Sequence, residues 1–180
     1  MRAAANALDR FSASLNALAM RGAMVAVVAM VLIATWQVIA RYLLASPPIW
    51  TEELARYAMV WGGLLGASCA FRAKADPTLF PGQREKDGAA GAVLAGLRMA
   101  GAGLFIVPVL YYSFFGPGFT VARGYMARMT NRSAETLDIP MVVFGIAIPL
   151  AFTIIAVHLL AETAMRLSRA GAADQDGDAP

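Results

Sequence analysis

Five ionisable residues lie beside long uncharged stretches of this 180-residue chain and are its main candidates for polar chemistry: Arg41, Glu52, Glu53, Arg56 and Arg72. Charges at membrane depth are costly unless they are paired. Glu52 and Glu53 precede Arg56 by four and three positions, which brings the three side chains to one surface of a helix. We expect an ion-pair set that fixes the first two helices to each other or to a partner. The alternative is a set of side chains that reach the interface separately, and the glutamate that would pair with Arg41 stays open.

Other chemistry is limited by what the chain contains. One cysteine, Cys69, cannot form a disulfide or a cysteine-built metal site within one chain, and one histidine, His158, cannot supply a bis-histidine haem. The sequence has no P-loop, nucleophile elbow or HExxH motif. We therefore predict no enzyme, no bound cofactor and no metal site. Cys69 is interpreted as a small packed hydrophobe and His158 as an interfacial residue near the end of the last apolar stretch.

The elements that must position these residues are apolar. Hydrophobic residues make up 59% of the chain and charged residues 15%, against about 45–50% and about 25% in soluble domains. Four stretches with few or no charges predict an all-α integral membrane protein with four transmembrane helices, at about residues 22–44, 50–72, 93–116 and 139–162. The second stretch is long enough only if it includes Trp50–Arg56, and the alternative is a buried or re-entrant segment.

The distribution of basic residues predicts the orientation. Cytoplasmic loops of membrane proteins are enriched in Lys and Arg, and ten of the fifteen basic residues lie in the N-terminal segment, the loop between spans two and three, and the C-terminal tail. With four spans, both termini are then cytoplasmic. The formal charge of +3 therefore reports orientation, and no nucleic-acid partner is expected. The ten residues are Arg2, Arg10, Arg21, Arg72, Lys74, Arg84, Lys86, Arg98, Arg166 and Arg169.

We divide the chain into a cytoplasmic segment (1–20), a four-helix membrane domain (21–166) and a disordered cytoplasmic tail (167–180). The first segment has apolar residues at helical spacing and is either a short amphipathic surface helix or the start of a long first helix. Those residues are Leu8, Phe11, Leu15 and Leu18.

Glycine and proline positions predict further features of the spans. Gly116-Pro117-Gly118 should end or kink span three, and Pro149 should kink span four. Small residues at four-residue spacing in span two predict a surface for close helix packing. They are Gly62, Gly66 and Ala70.

One block of residues carries a family resemblance. The run Trp50-Thr-Glu-Glu-Leu-Ala-Arg-Tyr57, preceded by Gln37–Tyr42 and followed by Trp61, resembles the small, DctQ-type membrane subunit of tripartite ATP-independent periplasmic (TRAP) transporters. Leu137–Pro140 and the apolar helix after it are similar to the family's last span, so the resemblance covers about residues 20–165. The loop at 72–88 departs from the family pattern, which often has a histidine there, and no role is transferred to it.

The resemblance implies a three-part importer in the bacterial inner membrane. A periplasmic binding protein captures an organic acid, and a large membrane subunit carries the substrate and sodium sites and moves by an elevator mechanism. The small subunit binds the large one among the membrane lipids and steadies its scaffold. The block of Trp50–Tyr57 and Arg41 is then expected to hold structural ion pairs or the subunit interface: Arg41, Trp50, Glu52, Glu53, Arg56 and Tyr57.

The connection between spans three and four carries three arginines on the outward side, Arg123, Arg128 and Arg132. We expect them to contribute to the docking face for the binding protein. A different hypothesis is a self-sufficient small transporter or channel that forms a homo-oligomer and uses Glu52 or Glu53 with Arg56 as its polar site.

Overall fold

A computed structural model describes residues 2–75 and 88–176. These residues confirm the all-α prediction, since they form helices and no strand beyond two isolated bridges. A 3₁₀ turn covers Val121–Arg123. The helices are α1 (Arg2–Tyr42), α2 (Trp50–Ala73), α3 (Gly88–Phe114), α4 (Tyr125–Thr130), α5 (Val142–Gly145) and α6 (Ala147–Asp176). The predicted cytoplasmic loop at 76–87 and the last tail residues, 177–180, lie outside the described residues.

Three stretches within these helices have the length and composition to cross a bilayer: Arg2–Tyr42, Gly96–Phe114 and Val142–Ser168. Helix α2 is not among them, although its 24 residues at about 1.5 Å each would be long enough. Its first turn contains Glu52 and Glu53, which lowers the apolar content of that end. The prediction of four spans therefore holds only if α2 crosses the bilayer as well.

Helix α1 is continuous over 41 residues, or about 60 Å. Residues 2–20 are thus the start of a long first helix, the second of the two alternatives. Phe11 and Leu18, two of the apolar residues of this part, are exposed within the chain. Small residues are buried in their place, which lets the neighbouring helices approach closely. They are Ala5, Ser12, Ala19 and Ala23.

Helices α1, α2 and α6 pack against one another, and α3 packs on α6. The core lies between α1, α2 and α6 and is flanked by Leu15 and Trp61. Cys69 is 2% exposed within it, as expected of a small packed hydrophobe. The buried members of the core are Ala19, Ala23, Leu65, Cys69 and Ile154.

The glycines of α2 differ in their surroundings. A Cβ atom at Gly62 would lie 3.1 Å from Cγ2 of Val27 in α1, whereas a Cβ atom at Gly66 would have nothing within 4 Å. Ala70 is half-buried. Close packing of α1 on α2 therefore uses Gly62, and Gly66 does not contribute to it within this chain.

The predicted fourth span is divided into two helices. Helix α5 ends at Gly145 and α6 begins at Ala147, so the break lies ahead of Pro149. Proline has no N–H to donate to the carbonyl four residues earlier, which here is that of Gly145. Pro149 itself is fully buried. The helix is therefore interrupted one turn before the position at which we expected the kink.

Helix α6 continues to Asp176, so residues 167–176 are helical where the sequence suggested a disordered tail. An ion pair between Glu162 and Arg166, one turn apart at 3.1 Å, supports the helix as it enters this region. Residues 170, 172 and 173 are alanines, the best helix formers. We predicted disorder from the small, polar residues of the tail and did not weigh the helix propensity of these alanines.

The connection from α3 to α5 turns tightly after Phe114, where Gly116-Pro117-Gly118 ends the helix as predicted. The backbone N–H of Gly116 donates to the Thr120 carbonyl at 3.0 Å. Gly118 has a φ of 73°, a conformation that suits glycine. This turn leads into α4, which packs on α5 at Gly145.

Candidate functional site

The carboxylate of Glu53 joins the start of α2 to the segment that precedes α5. Its Oε1 accepts hydrogen bonds from the Tyr57 hydroxyl at 2.7 Å and from the backbone N–H of Glu135 at 2.9 Å. Its Oε2 accepts from the backbone N–H of Thr136 at 2.7 Å and from the Thr136 hydroxyl at 2.5 Å. Glu53 is 7% exposed. Four donors thus satisfy one buried carboxylate, which offsets the cost of removing its charge from water.

Tyr57 extends this network toward α5. Its ring stacks on Phe144, with centroids 3.8 Å apart and planes 10° from parallel, and its hydroxyl also lies 3.0 Å from Sδ of Met141. Stacked aromatic pairs contribute about 0.5–1.5 kcal/mol beyond the burial of their surface. Glu53 and Tyr57, one helical turn apart, therefore hold residues 135–144 against α2. We call Glu53, Tyr57, Glu135, Thr136, Met141 and Phe144 the Glu53 network.

Local sequence explains why α2 presents Glu53 at this place. Pro47-Pro48 stops the preceding chain from continuing as helix, and the Thr51 hydroxyl donates to the Pro48 carbonyl at 2.7 Å. Helix α2 then begins at Trp50 with both glutamates in its first turn, where the helix dipole favours negative charge. Glu53 is on the buried side of this turn and Glu52 on the exposed side.

The predicted ion-pair set is present only in part. Glu52 Oε1 lies 3.4 Å from a guanidinium nitrogen of Arg56, but the two side chains are 70% and 61% exposed, respectively. Exposed pairs of this kind contribute about 0–1 kcal/mol. Arg41 is exposed and forms no ion pair with the residues the structure describes. Within the described ranges Glu53 binds no arginine either, and its contacts there are hydrogen bonds.

Arg72 lies in a separate polar cluster near the start of α1. Its guanidinium donates to Asp9 at 3.0 Å and to the hydroxyl of Ser12. The Ser12 hydroxyl also lies 2.6 Å from Nδ1 of His158. Asp9, Ser12, Arg72 and His158, the Ser12 cluster, therefore connect α1, α2 and α6.

The Ser12 cluster changes the interpretation of His158. We expected an interfacial residue, yet His158 is 3% exposed and lies against α1. It occupies this place because Ser12, on the small-residue side of α1, supplies a polar partner inside the packed helices. Hydrogen bonds of this kind connect transmembrane helices. His158 is thus an interhelical contact residue.

The three arginines that we predicted to face outward are surface residues of the structure. Arg123 ends the 3₁₀ turn, Arg128 lies in α4, and Arg132 follows α4. All three are exposed, and none pairs with an acid in the part of the chain described. All three lie in the connection between α3 and α5. The Glu53 network attaches the end of this connection to α2.

Sequence reasoning missed most partners of Glu53 and Ser12. Glu135, Thr136, Met141 and Phe144 are about 80 residues from α2, and nothing in their spacing relates them to Glu53. A usable signal existed for Ser12, since a lone polar residue on a buried helix side requires a partner. His158 was the matching polar residue in another helix.

These arrangements bind parts of one chain to each other. The Glu53 carboxylate has its accepting sites occupied by internal donors, which leaves it poorly suited to hold a substrate or an ion. Over residues 2–75 and 88–176, no three His, Cys, Asp or Glu side chains come together in a way that could hold a metal. The chemistry of the site is therefore structural attachment.

Part of the chain is similar to a known protein family. Residues 30–77 match the family described as tripartite ATP-independent periplasmic transporters, DctQ component. No curated protein matches the chain. The matched segment includes the end of α1, all of α2 and the Glu53 side chain, and it contains the Trp50–Tyr57 block. Residues 30–77 are therefore similar to the DctQ component, in agreement with the resemblance of the Trp50–Tyr57 block.

Proposed function

We propose that the chain is the small, non-catalytic permease subunit of a sodium-coupled TRAP transporter that imports an organic acid. A periplasmic binding protein delivers the acid, the large membrane subunit carries the substrate and sodium sites, and this chain steadies the large subunit in the inner membrane. The observation that carries the proposal is the DctQ match at residues 30–77, which contains Glu53 and Tyr57 of the Glu53 network.

The proposed topology has four spans with both termini in the cytoplasm. Helix α2 is the fourth spanning helix, and its charged first turn lies at the outer surface, where Glu53 is satisfied by residues 135 and 136. The Ser12 cluster then lies toward the cytoplasmic end. This placement puts polar groups near the two membrane surfaces and leaves the apolar sides of α1 and α3 for lipid or the large subunit.

The outer ends of α1 and α2 are proposed to contact the large subunit. Arg41, Trp50, Glu52 and Arg56 are all exposed there, and within the described chain only the weak Glu52–Arg56 pair engages any of the charged ones. Side chains that are unsatisfied in the isolated chain are available to a partner subunit. Arg123, Arg128 and Arg132 are proposed to face the binding protein for the same reason.

Reconstitution tests the proposal. The chain and the proposed large membrane subunit are placed in liposomes, the proposed binding protein is added outside, and sodium-driven uptake of organic acids is measured. Uptake should need all three proteins, and the chain should co-purify with the large protein. Uptake by the chain alone, with a homo-oligomer on size-exclusion chromatography, would support the alternative of a self-sufficient transporter and overturn the proposal.

A further inference from the structure

Three basic side chains surround one carboxylate where α2 ends and α3 and α6 pass it. Oε1 of Glu162 lies 3.1 Å from Arg98, 3.1 Å from Arg166 and 3.7 Å from Lys74. The four side chains belong to α3, α6 and the C-cap of α2. Arg98 and Arg166 together bring two positive charges to this one acidic oxygen, so the four side chains, which we call the Glu162 cluster, keep an excess of positive charge among the described residues.

Arg98 is the central member of the cluster. Its guanidinium carbon lies 5.2 Å from the centroid of the Phe71 ring, so Phe71 holds the group from α2 while Glu162 holds it from α6. Its Nη2 is buried and has no hydrogen-bond partner among the described residues. A buried donor without a partner is costly, and an anion beside it would remove that cost.

The surroundings of the cluster suit a lipid. Helix α3 packs on α6 and exposes large apolar side chains, including Leu97, Leu104 and Phe105. Leu97 directly precedes Arg98 in the chain. A ligand with an anionic head and apolar tails therefore matches both the charge at the cluster and the exposed surface of α3.

We propose that the Glu162 cluster binds the phosphate headgroup of an anionic phospholipid. Lys74, Arg98 and Arg166 face the phosphate, and the acyl chains lie on α3. Guanidinium groups bind phosphate oxygens in paired, charge-assisted hydrogen bonds, and basic pockets between transmembrane helices bind anionic headgroups. The proposal requires that the chain lies in a bilayer, but it does not depend on the transported substrate or on the partner subunits.

Native mass spectrometry of the full chain in detergent tests this site. Dioleoyl phosphatidylglycerol is titrated against dioleoyl phosphatidylcholine, and the lipid-bound fraction is measured. The wild-type chain should retain phosphatidylglycerol preferentially. Arg166→Gln should weaken retention about fivefold, the factor that corresponds to one basic residue near a membrane surface. Arg123→Gln, on the connection between α3 and α5, is the matched control and should leave retention unchanged.

Glu162→Gln separates lipid binding from a purely structural role. The substitution removes the acid that competes with the headgroup, so phosphatidylglycerol should be retained about fivefold more tightly, even if the chain itself unfolds more easily. Inorganic phosphate should fail to displace the lipid, because the acyl chains contribute to binding. Equal retention of both lipids, reduced retention in Glu162→Gln, or full displacement by phosphate would each overturn the proposal.

Discussion

Thr136 donates twice to a single oxygen of Glu53, with its backbone N–H 2.7 Å and its hydroxyl 2.5 Å from Oε2. The two residues are 83 positions apart, so this contact fixes a connecting segment to the first turn of a distant helix. The same segment follows the three outward arginines. The position of a charged surface thus depends on one buried carboxylate.

Replacing Glu53 by glutamine should destabilise the chain by about 2 kcal/mol or more, because the amide cannot accept from all four donors and places its own N–H₂ against one of them. Unfolding of the purified chain by SDS measures this free energy. Glu52→Gln is the matched control, since Glu52 is exposed, and it should change the value by less than about 0.5 kcal/mol. Equal losses in the two variants would show that the Glu53 network does not stabilise the fold.

Tyr57→Phe should cost about 1 kcal/mol, the usual value of one hydrogen bond, because it removes the donor to Glu53 and keeps the stacking on Phe144. Tyr57→Ala should cost at least about 2 kcal/mol more, since the stacked ring is lost as well. The same SDS unfolding experiment separates the two contributions. A phenylalanine variant as unstable as the alanine variant would mean that the hydroxyl carries the whole effect and that the ring stacking carries none.

Gly62 and Gly66 should respond differently to alanine. In a helix, alanine is favoured over glycine by up to about 1 kcal/mol, and Gly66→Ala should show this gain because its Cβ meets nothing within 4 Å. Gly62→Ala should gain less or lose stability, since its Cβ would lie 3.1 Å from Val27. Thermal unfolding in detergent compares the two variants. A larger gain at Gly62 would contradict close packing of α1 on α2.

Ser12→Ala should destabilise the chain by about 1–3 kcal/mol, because Nδ1 of His158 and one Arg72 donor lose a buried partner. Ser14→Ala is the matched control on the same helix, since the exposed Ser14 hydroxyl contacts only the Arg10 carbonyl, at 3.1 Å. The measurement is the free energy of unfolding in SDS. Similar values for the two alanine variants would exclude a stabilising role for the Ser12 cluster.

Reversal of charge at the three outward arginines tests the proposed docking face. The triple change of Arg123, Arg128 and Arg132 to glutamate should raise the KM for the loaded binding protein roughly five- to tenfold at low salt, because rim charges steer association. The effect should shrink as ionic strength rises. Arg10→Glu, on the cytoplasmic side in the proposed topology, should leave KM unchanged. An unaltered KM in the triple variant would place the docking face elsewhere.

The sequence predicted well what depends on local composition. Pro47-Pro48 separates α1 from α2, Gly116-Pro117-Gly118 ends α3, and uncharged stretches mark the long helices, because each of these effects acts within a few residues. The Trp50–Tyr57 block also indicated the start of α2, where Glu53 and Tyr57 lie, as a polar site.

The contacts of those residues were beyond prediction from one sequence. Adjacent glutamates, Glu52 and Glu53, both lie about one helical turn before Arg56, yet one is exposed and paired and the other is buried and bound to Thr136. Their difference arises from the packing of residues 135–144 on α2. Similarly, nothing in the spacing of residues 2–23 indicated that α1 packs through its small residues Ala5, Ser12 and Ala19.

The separation of Ser12 and His158 by 146 positions has a consequence for how the protein is made. At roughly 5–20 residues per second, His158 leaves the ribosome roughly 7–30 s after Ser12. Thr136, the partner of Glu53, is also late. The first two helices are therefore synthesised before the last third of the chain supplies the remaining partners of Ser12 and Glu53. Release of the chain before residue 158 would leave those partners missing, a state that membrane quality-control proteases could recognise.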